Sequence, residues 1–168
     1  IAEALFGDYN PGGRLAVTFP KSVGQIPFAF PFKPGSDESS ETSVYGALYP
    51  FGHGLSYTTF QYSDLAISPS KQGVQGNISI SCTIKNIGQR EGDEVVQLYL
   101  RDEVSSVTTY TQVLRGFERI TLKPEASHTV HFELTPQELG ICDKQMNFTV
   151  EPGMFKVMIG SSSKDIRL

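Results

Sequence analysis

Two neighbouring stretches decide the fold, Gly92-Asp-Glu-Val-Val-Gln-Leu-Tyr-Leu-Arg-Asp102 and Val113-Leu-Arg-Gly-Phe-Glu-Arg119. Both are rich in β-branched and aromatic residues and both alternate in polarity, which is typical of sheet strands. In the first stretch, one face carries Val96, Leu98 and Leu100, and the other carries Val95, Gln97, Tyr99 and Arg101. The apolar face is therefore predicted to enter a core, and the mixed face is a candidate contact surface.

The sequence predicts further strands of the same kind throughout the rest of the C-terminal two thirds. Alternation is clearest where Ile78, Ile80, Cys82 and Ile84 interleave with polar residues, and this places Cys82 on the core face. The other predicted strands are Phe60–Ser68, Glu94–Arg101, Leu114–Leu122, His128–Leu134, Gln145–Val150 and Phe155–Ile159. Seven short strands separated by turn residues predict an all-β fold, an immunoglobulin-like sandwich.

The N-terminal third follows a different pattern. Residues 1–8 have the composition of a last helical turn with Gly7 as its stop, and residues 14–19 predict a short strand that Pro20 closes. We expect residues 1–30 to be the remnant of a preceding α/β domain and to be poorly anchored. Residues 31–58 predict a linker that leads into a sandwich at residues 59–168.

The linker region is unusual because it is rich in large aromatic side chains. These are Phe28, Phe30, Phe32, Tyr45, Tyr49 and Phe51. Each offers roughly 150–250 Å² of surface that gains from burial, so we expect them to pack on neighbouring domains. The alternative is a platform on which sugar rings stack.

Composition and charge exclude several functions. The 168 residues carry a net charge of −4 without a basic run, which argues against a nucleic-acid partner. No stretch approaches the roughly 20 apolar residues of a membrane span. Cys82 and Cys142 are too few and too far apart for a disulfide framework or a zinc site, so two buried free thiols are predicted.

Ordered motifs along nearly the whole chain resemble the C-terminal end of glycoside hydrolase family 3. Gly7-Asp-Tyr-Asn-Pro-Gly-Gly-Arg-Leu15 resembles the end of the family's α/β-sandwich domain, and Tyr49-Pro-Phe-Gly-His-Gly-Leu-Ser-Tyr57 resembles the entry into its fibronectin type III-like domain. Asp93-Glu-Val-Val-Gln-Leu-Tyr99, Gly116-Phe-Glu-Arg119 and Glu151-Pro-Gly153 follow in the family's order.

The resemblance implies a parent enzyme that hydrolyses terminal β-D-glucosidic or related β-glycosidic bonds with retention. This chemistry uses two carboxyl groups about 5 Å apart, one as nucleophile and one as acid/base. In the family both lie upstream of the residues resembled here. The resemblance thus implies that the chain has no catalytic residue of its own, needs no cofactor or metal, and has the upstream catalytic domains as partners. It also suggests a periplasmic or secreted location.

The acidic residues and histidines of the chain are each given an ordinary role. Each of the acidic residues considered lies within a predicted strand or at a strand end and needs no catalytic role; these are Asp93, Glu94, Asp102, Glu103 and Glu118. His128 and His131 lie three apart in a predicted strand, project to opposite faces, and so cannot share a metal. His53, between two glycines, is predicted to fill a turn or an interdomain contact.

Three functions remain open. The favoured one is an accessory, structural domain that packs against the catalytic domains. The second is a carbohydrate- or surface-binding module, based on Tyr99, Tyr110 and Phe117 as exposed aromatic residues. The third is a free-standing adhesion-type sandwich, against which the helix-turn-strand pattern of residues 1–19 argues. The substrate-binding residues and the sugar that the parent cleaves stay open.

Overall fold

A computed structural model describes residues 1–36, 45–71 and 73–168. Its helices are α1 (Ala2–Phe6), a single 3₁₀ turn (Val23–Gln25) and α2 (Pro136–Leu139). Its strands are β1 (Phe19–Pro20), β2 (Ala47–Tyr49), β3 (Phe60–Ser68), β4 (Ile78–Asn86), β5 (Gly92–Asp102), β6 (Val113–Leu122), β7 (Ser127–Leu134), β8 (Ile141–Cys142), β9 (Phe148–Thr149) and β10 (Phe155–Gly160).

Two three-stranded antiparallel sheets form the sandwich, with strand orders β3-β4-β7 and β10-β5-β6. The core between them is made of aliphatic side chains that are fully buried, among them Ile80, Ile84, Val96, Leu98, Val130, Leu134 and Ile159. They come from alternate positions of their strands, as burial of one face of each sheet requires. The predicted all-β sandwich is confirmed.

The predicted strands of the sandwich match the structure with one clear exception. In place of the predicted strand Gln145–Val150, only Phe148–Thr149 is a strand, paired with Ile141–Cys142. The Asp143 carboxylate accepts hydrogen bonds from the backbone N–H groups of Gln145 and Asn147, each at 2.8 Å. This side chain closes a tight turn over residues 143–147, so these residues cannot extend into a ladder.

Two predictions for the N-terminal third are wrong in part. The strand predicted for residues 14–19 is reduced to Phe19–Pro20, and Pro20 is itself paired, opposite Ala47. Residues 1–30 are also not poorly anchored throughout, because Asn10 and Arg14 bond to the sandwich. The helical turn with its left-handed stop at Gly7 is confirmed, with φ of 86°. Residues 37–44 of the predicted linker lie outside the described residues.

The two cysteines lie in different environments. Cys82 is fully buried in the core, as predicted, and burial raises the pKa of its thiol to about 11. Cys142 is exposed, so the prediction of two buried thiols is wrong for this residue. Both thiols are free.

Candidate functional site

The carboxylates that the sequence singles out do not form a catalytic arrangement. Asp93 accepts a hydrogen bond from the Thr121 hydroxyl at 2.7 Å and pairs with Arg119, and these contacts lower its pKa. Burial raises the pKa of Asp102, which accepts from the Val104 N–H at 3.3 Å. Each group therefore has a local structural role.

The remaining candidates lie at the surface. Glu103 is 3.6 Å from Arg101, and Glu118 is 3.7 Å from His128. His128 lies opposite Ile84 and His131 lies opposite Ser81 in the β4–β7 pair. The described residues contain no group of His, Cys, Asp and Glu side chains arranged to hold a metal ion.

A buried ion pair joins the N-terminal segment to the sandwich. Arg14 donates from Nη2 to both carboxylate oxygens of Glu94 at 3.0 Å, and the Tyr62 hydroxyl donates to Glu94 at 3.1 Å. The two charged side chains are only 8% and 4% exposed. Burial raises the pKa of Glu94, and the Arg14 guanidinium opposes that shift. Sequence reasoning gave Glu94 no partner, because Arg14 lies 80 residues away.

A second buried contact involves the mixed face of β5. Gln97 donates to the carbonyl oxygens of Gly52, at 3.2 Å, and Ser161, at 2.6 Å. The Tyr99 hydroxyl donates in turn to the Gln97 side-chain oxygen at 2.5 Å. Gly52 has φ of 80°, and a Cβ there would overlap the Gln97 amide. The mixed face is thus a contact surface, as predicted, and its partner is the segment that precedes the sandwich.

The aromatic residues of that segment pack on the same face. Phe30 stacks on Phe51 with ring centroids 4.5 Å apart and meets the Tyr99 ring edge-on at 5.8 Å. Phe28 and Phe32 lie 5.3 Å apart beside them. The predicted packing of these aromatic side chains is thus seen in part against the sandwich of the same chain, through the contact of Phe30 with Tyr99 on β5.

Two asparagines complete the attachment, and sequence reasoning missed both roles. The fully buried Asn86 donates to the carbonyl oxygens of Arg90 and Leu122 and accepts from the Thr58 hydroxyl at 2.6 Å. Asn10 donates to the Glu91 carbonyl at 3.0 Å and accepts from Tyr57 N–H at 2.8 Å. The sequence Asn86-Ile-Gly88 indicates a local turn but gives no sign of the buried contacts of Asn86.

Helix α1 is held by its C-terminal carbonyl groups. The Tyr57 hydroxyl donates to the Ala4 carbonyl at 2.6 Å, and Arg90 donates to the Gly7 carbonyl at 2.7 Å. Arg90 also lies over the Tyr57 ring, 5.8 Å from its centroid. These contacts leave the apolar side chains of α1 without cover from the described chain, since Leu5 is 74% and Phe6 85% exposed.

Exposed large hydrophobic side chains are concentrated in the described part of residues 1–57. Among the described residues, 13 of the 23 exposed large hydrophobic side chains lie in this third of the chain. They are Ile1, Leu5, Phe6, Tyr9, Val17, Phe19, Val23, Ile26, Tyr45, Leu48, Tyr49, Leu55 and Tyr57. An apolar concentration of this kind marks a surface that another body covers. We call this set the outer face.

His53 belongs to the border of the outer face. Its ring stacks on Tyr49 at 5.2 Å, and its carbonyl oxygen accepts from Leu15 N–H at 2.9 Å. Its backbone N–H donates to Pro50 within the turn, as the predicted turn role requires.

The three aromatic residues proposed for sugar binding differ in exposure and lie in different parts of the fold. Tyr99 is fully buried beneath the aromatic segment, so its prediction as an exposed binding residue is wrong. Tyr110 is 44% and Phe117 is 68% exposed, in separate places, the first in the β5–β6 connection and the second on β6.

Comparison with known families divides the chain into two matched regions. Residues 1–57 match the glycosyl hydrolase family 3 C-terminal domain, and residues 94–163 match a fibronectin type III-like domain. The outer face therefore falls within the first region, and the strands β6, β7 and β10 and all but the first two residues of β5 fall within the second.

Curated relatives and solved structures agree with these matches. The chain is 42% identical over 99% of its length to a periplasmic β-glucosidase of Salmonella typhimurium and 43% identical over 98% to a β-xylosidase of Formosa agariphila. It covers 23% of each, so it spans about a quarter of the length of the curated relatives it matches. A β-glucosidase structure from Erythrobacter marinus aligns with a TM-score of 0.91 at 40% identity, over 99% of this chain and 22% of that one. A Listeria innocua β-glucosidase in complex with glucose aligns with a TM-score of 0.91 at 30% identity, over 98% and 24%.

Proposed function

The chain belongs to glycoside hydrolase family 3, whose C-terminal region it carries, and we propose that it serves as the non-catalytic packing unit of a β-glycosidase. The longer polypeptide would hydrolyse terminal β-D-glucosidic or related β-glycosidic bonds with retention. We divide the chain as predicted, with residues 1–30 from the α/β domain, 31–58 as the connecting segment and 59–168 as the sandwich.

The observation that carries the proposal is the two-sided character of residues 1–57. Their inner side is fixed to the sandwich through buried polar contacts, of which the Arg14–Glu94 pair is the most enclosed. Their outer face is apolar and exposed. A segment that is fixed on one side and apolar on the other suits a scaffold that docks on the upstream catalytic domains of the same polypeptide.

The carboxylates of the chain support the assignment of catalysis to the upstream part. A retaining glycosidase needs one ionised and one protonated carboxyl facing a sugar, about 5 Å apart. Glu94, the most buried acidic residue described, is enclosed by Arg14 and Tyr62 and has no opening toward a substrate. The chain alone is therefore proposed to be inactive, with a β-linked oligosaccharide as substrate of the longer polypeptide.

The location is proposed as periplasmic or secreted. The support is the name of the Salmonella relative, a periplasmic enzyme. None of the described helices has the length and apolar character needed to cross a membrane.

The test compares the isolated chain with the longer polypeptide, using Leu5→Asp and Leu48→Asp on the outer face. Neither variant should change the melting temperature of the isolated chain, because both side chains are already exposed there. Both should lower the melting temperature and the β-glucosidase activity of the longer polypeptide. Met154→Asp, at an exposed position of the sandwich, is the control and should change neither.

Two results would contradict the proposal. Hydrolysis of an aryl β-glucoside or β-xyloside by the isolated chain would refute its non-catalytic role. Unchanged stability of the longer polypeptide in both outer-face variants would refute docking through this surface.

A further inference from the structure

The mixed face of β5 continues onto the strands on either side of it, and it is covered on only one of them. Met158 of β10 lies opposite Tyr99, and both side chains are buried, as is Gln97. On the other side, Phe117 of β6 lies directly opposite Gln97, and its side chain therefore points to the same face. Phe117 is nevertheless 68% exposed.

The layer that covers this face is the segment that precedes the sandwich, and its contacts fall on β5. Phe30 meets the Tyr99 ring edge-on, and the Gly52 carbonyl accepts from Gln97. The large exposed fraction of Phe117 shows that the layer stops short of β6. An aromatic ring left open at the border of a packed face gains from burial beneath a further body.

A polar cluster connects the uncovered part of β6 with the outer face. Arg119 lies two residues after Phe117, on the same side of the strand, and its Nε donates to the Asp93 carboxylate at 2.9 Å. Arg119 also interacts with Tyr9, a member of the outer face that is 51% exposed. Because Thr121 donates to Asp93 at 2.7 Å, the carboxylate is fixed from the side of the sheet. The outer face thus continues without a break onto β6.

The identity of the covering body follows from the domain to which the outer face belongs. Residues 1–57 match the glycosyl hydrolase family 3 C-terminal domain, and the chain spans about a quarter of the length of its curated relatives. A domain has a core of its own and buries the apolar sides of its own segments. The body that suits the outer face is therefore the remainder of this domain, and the link from Tyr9 to Arg119 places it over β6 as well.

We propose that the upstream α/β domain of the same polypeptide docks across the outer face and onto β6, where an apolar part of its surface covers Phe117. This inference rests on the proposed function and adds a direct contact between the upstream domain and the fibronectin type III-like region. The sandwich then holds the upstream domain in two ways, through the segment fixed to β5 and through β6 itself. A second copy of this chain is the competing occupant.

The first test measures the accessibility of position 117 in the isolated chain and in the longer polypeptide. Phe117→Cys is made in a Cys142→Ser background, in which the remaining thiol, Cys82, is buried. The introduced thiol should react rapidly with an alkylating reagent in the isolated chain and at least about tenfold more slowly in the longer polypeptide. Met154→Cys in the same background is the matched control. Met154 is 75% exposed and lies before β10, away from the outer face, so its replacement should react equally fast in both.

The second test measures what the contact contributes. Phe117→Thr removes the ring and keeps a residue that favours strands. The melting temperature of the isolated chain should stay within about 2 °C of the parent value, because the ring is already exposed there. The melting temperature of the longer polypeptide should fall by more than this.

Several results would overturn the docking surface on β6. Equal reactivity of position 117 in the two proteins is one, and an equal effect of Phe117→Thr on both melting temperatures is another. Slow reaction in the isolated chain also overturns it: a constant rate would mean that the chain covers the residue itself, and a rate that falls with protein concentration would place a second copy there. If Leu5→Asp and Leu48→Asp destabilise the longer polypeptide while position 117 stays reactive, this inference fails and the proposed function stands.

Discussion

Breaking the Arg14–Glu94 pair should reveal how strongly the N-terminal segment is attached to the sandwich. Glu94→Gln removes the negative charge and leaves the Arg14 guanidinium, 8% exposed, without a counter-charge. Removing one partner of a buried pair costs about 3–5 kcal/mol, because the remaining charge stays desolvated. For a chain of this size, each kcal/mol lowers the melting temperature by about 2–4 °C, so a fall of roughly 6–20 °C is expected.

A double-mutant cycle separates the pair from the packing around it. Arg14→Met, Glu94→Gln and the double variant are compared by urea denaturation. The double variant should lose less stability than the sum of the single variants, by at least about 2 kcal/mol, since neither charge then stays buried alone. Lys85→Met serves as the control. It breaks an ion pair with Glu125 whose side chains are 40% and 71% exposed, and it should cost less than about 1 kcal/mol.

The attachment through Arg14 would be refuted by a Glu94→Gln variant whose free energy of unfolding lies within about 0.5 kcal/mol of the parent. Additive losses in the cycle would refute it equally. Either result would mean that the two charges act independently and that the contacts of Asn10 and Gln97 hold the segment.

Three further measurements test other contacts. Gly52→Ala should lower the free energy of unfolding, measured by urea denaturation, by about 2–4 kcal/mol, because the added Cβ meets Gln97 and the residue has positive φ. The control Gly35→Ala, also at positive φ but in open space, should lower it by only about 1 kcal/mol. Equal losses in the two variants would contradict the role of the Gln97 contact. The lowered pKa of Asp93 stabilises the fold at pH values above the ordinary pKa of 3.8, and this stabilisation is lost as the pH falls below that value. In the Asp93→Asn variant, the free energy of unfolding should therefore fall less steeply on the acid side. An unchanged acid side would be evidence against the Thr121 and Arg119 contacts. An alkylating reagent at pH 8 should modify Cys142 quickly and Cys82 only in denaturant, and two rapidly modified thiols in the native chain would show that the core opens.

The strands of the sandwich could be predicted because their signal is local. In β4 the alternation of Ile78, Ile80, Cys82 and Ile84 is visible within nine residues, and burial of one face follows directly. The turn at 143–147 could not be predicted in the same way. There the preference of Phe148 and Val150 for a strand competes with the hydrogen bonds that the Asp143 carboxylate accepts from the backbone N–H groups of Gln145 and Asn147, and the side chain decides the local structure.

The partner of the mixed face on β5 was beyond the reach of a local pattern. The sequence places Gln97 and Tyr99 on one face but gives no sign of what covers them, because Gly52 is 45 residues away and Phe30 is further still. Some of the aromatic side chains between positions 28 and 51 are packed, as expected. The sequence alone could not distinguish packing on the sandwich of the same chain from packing on another domain. Only the three-dimensional contacts make that distinction.

The border between the two matched families is therefore not a border of packing. The first family region ends at residue 57, yet Arg14, within it, neutralises Glu94 on β5. Without the first region, the sandwich would expose Tyr99 and leave Glu94 without its ion-pair partner Arg14. Both effects oppose folding of the sandwich alone. The described parts of residues 9–57 that contact the sandwich are consequently joined to β5 through buried contacts, so they and the sandwich act as one structural unit.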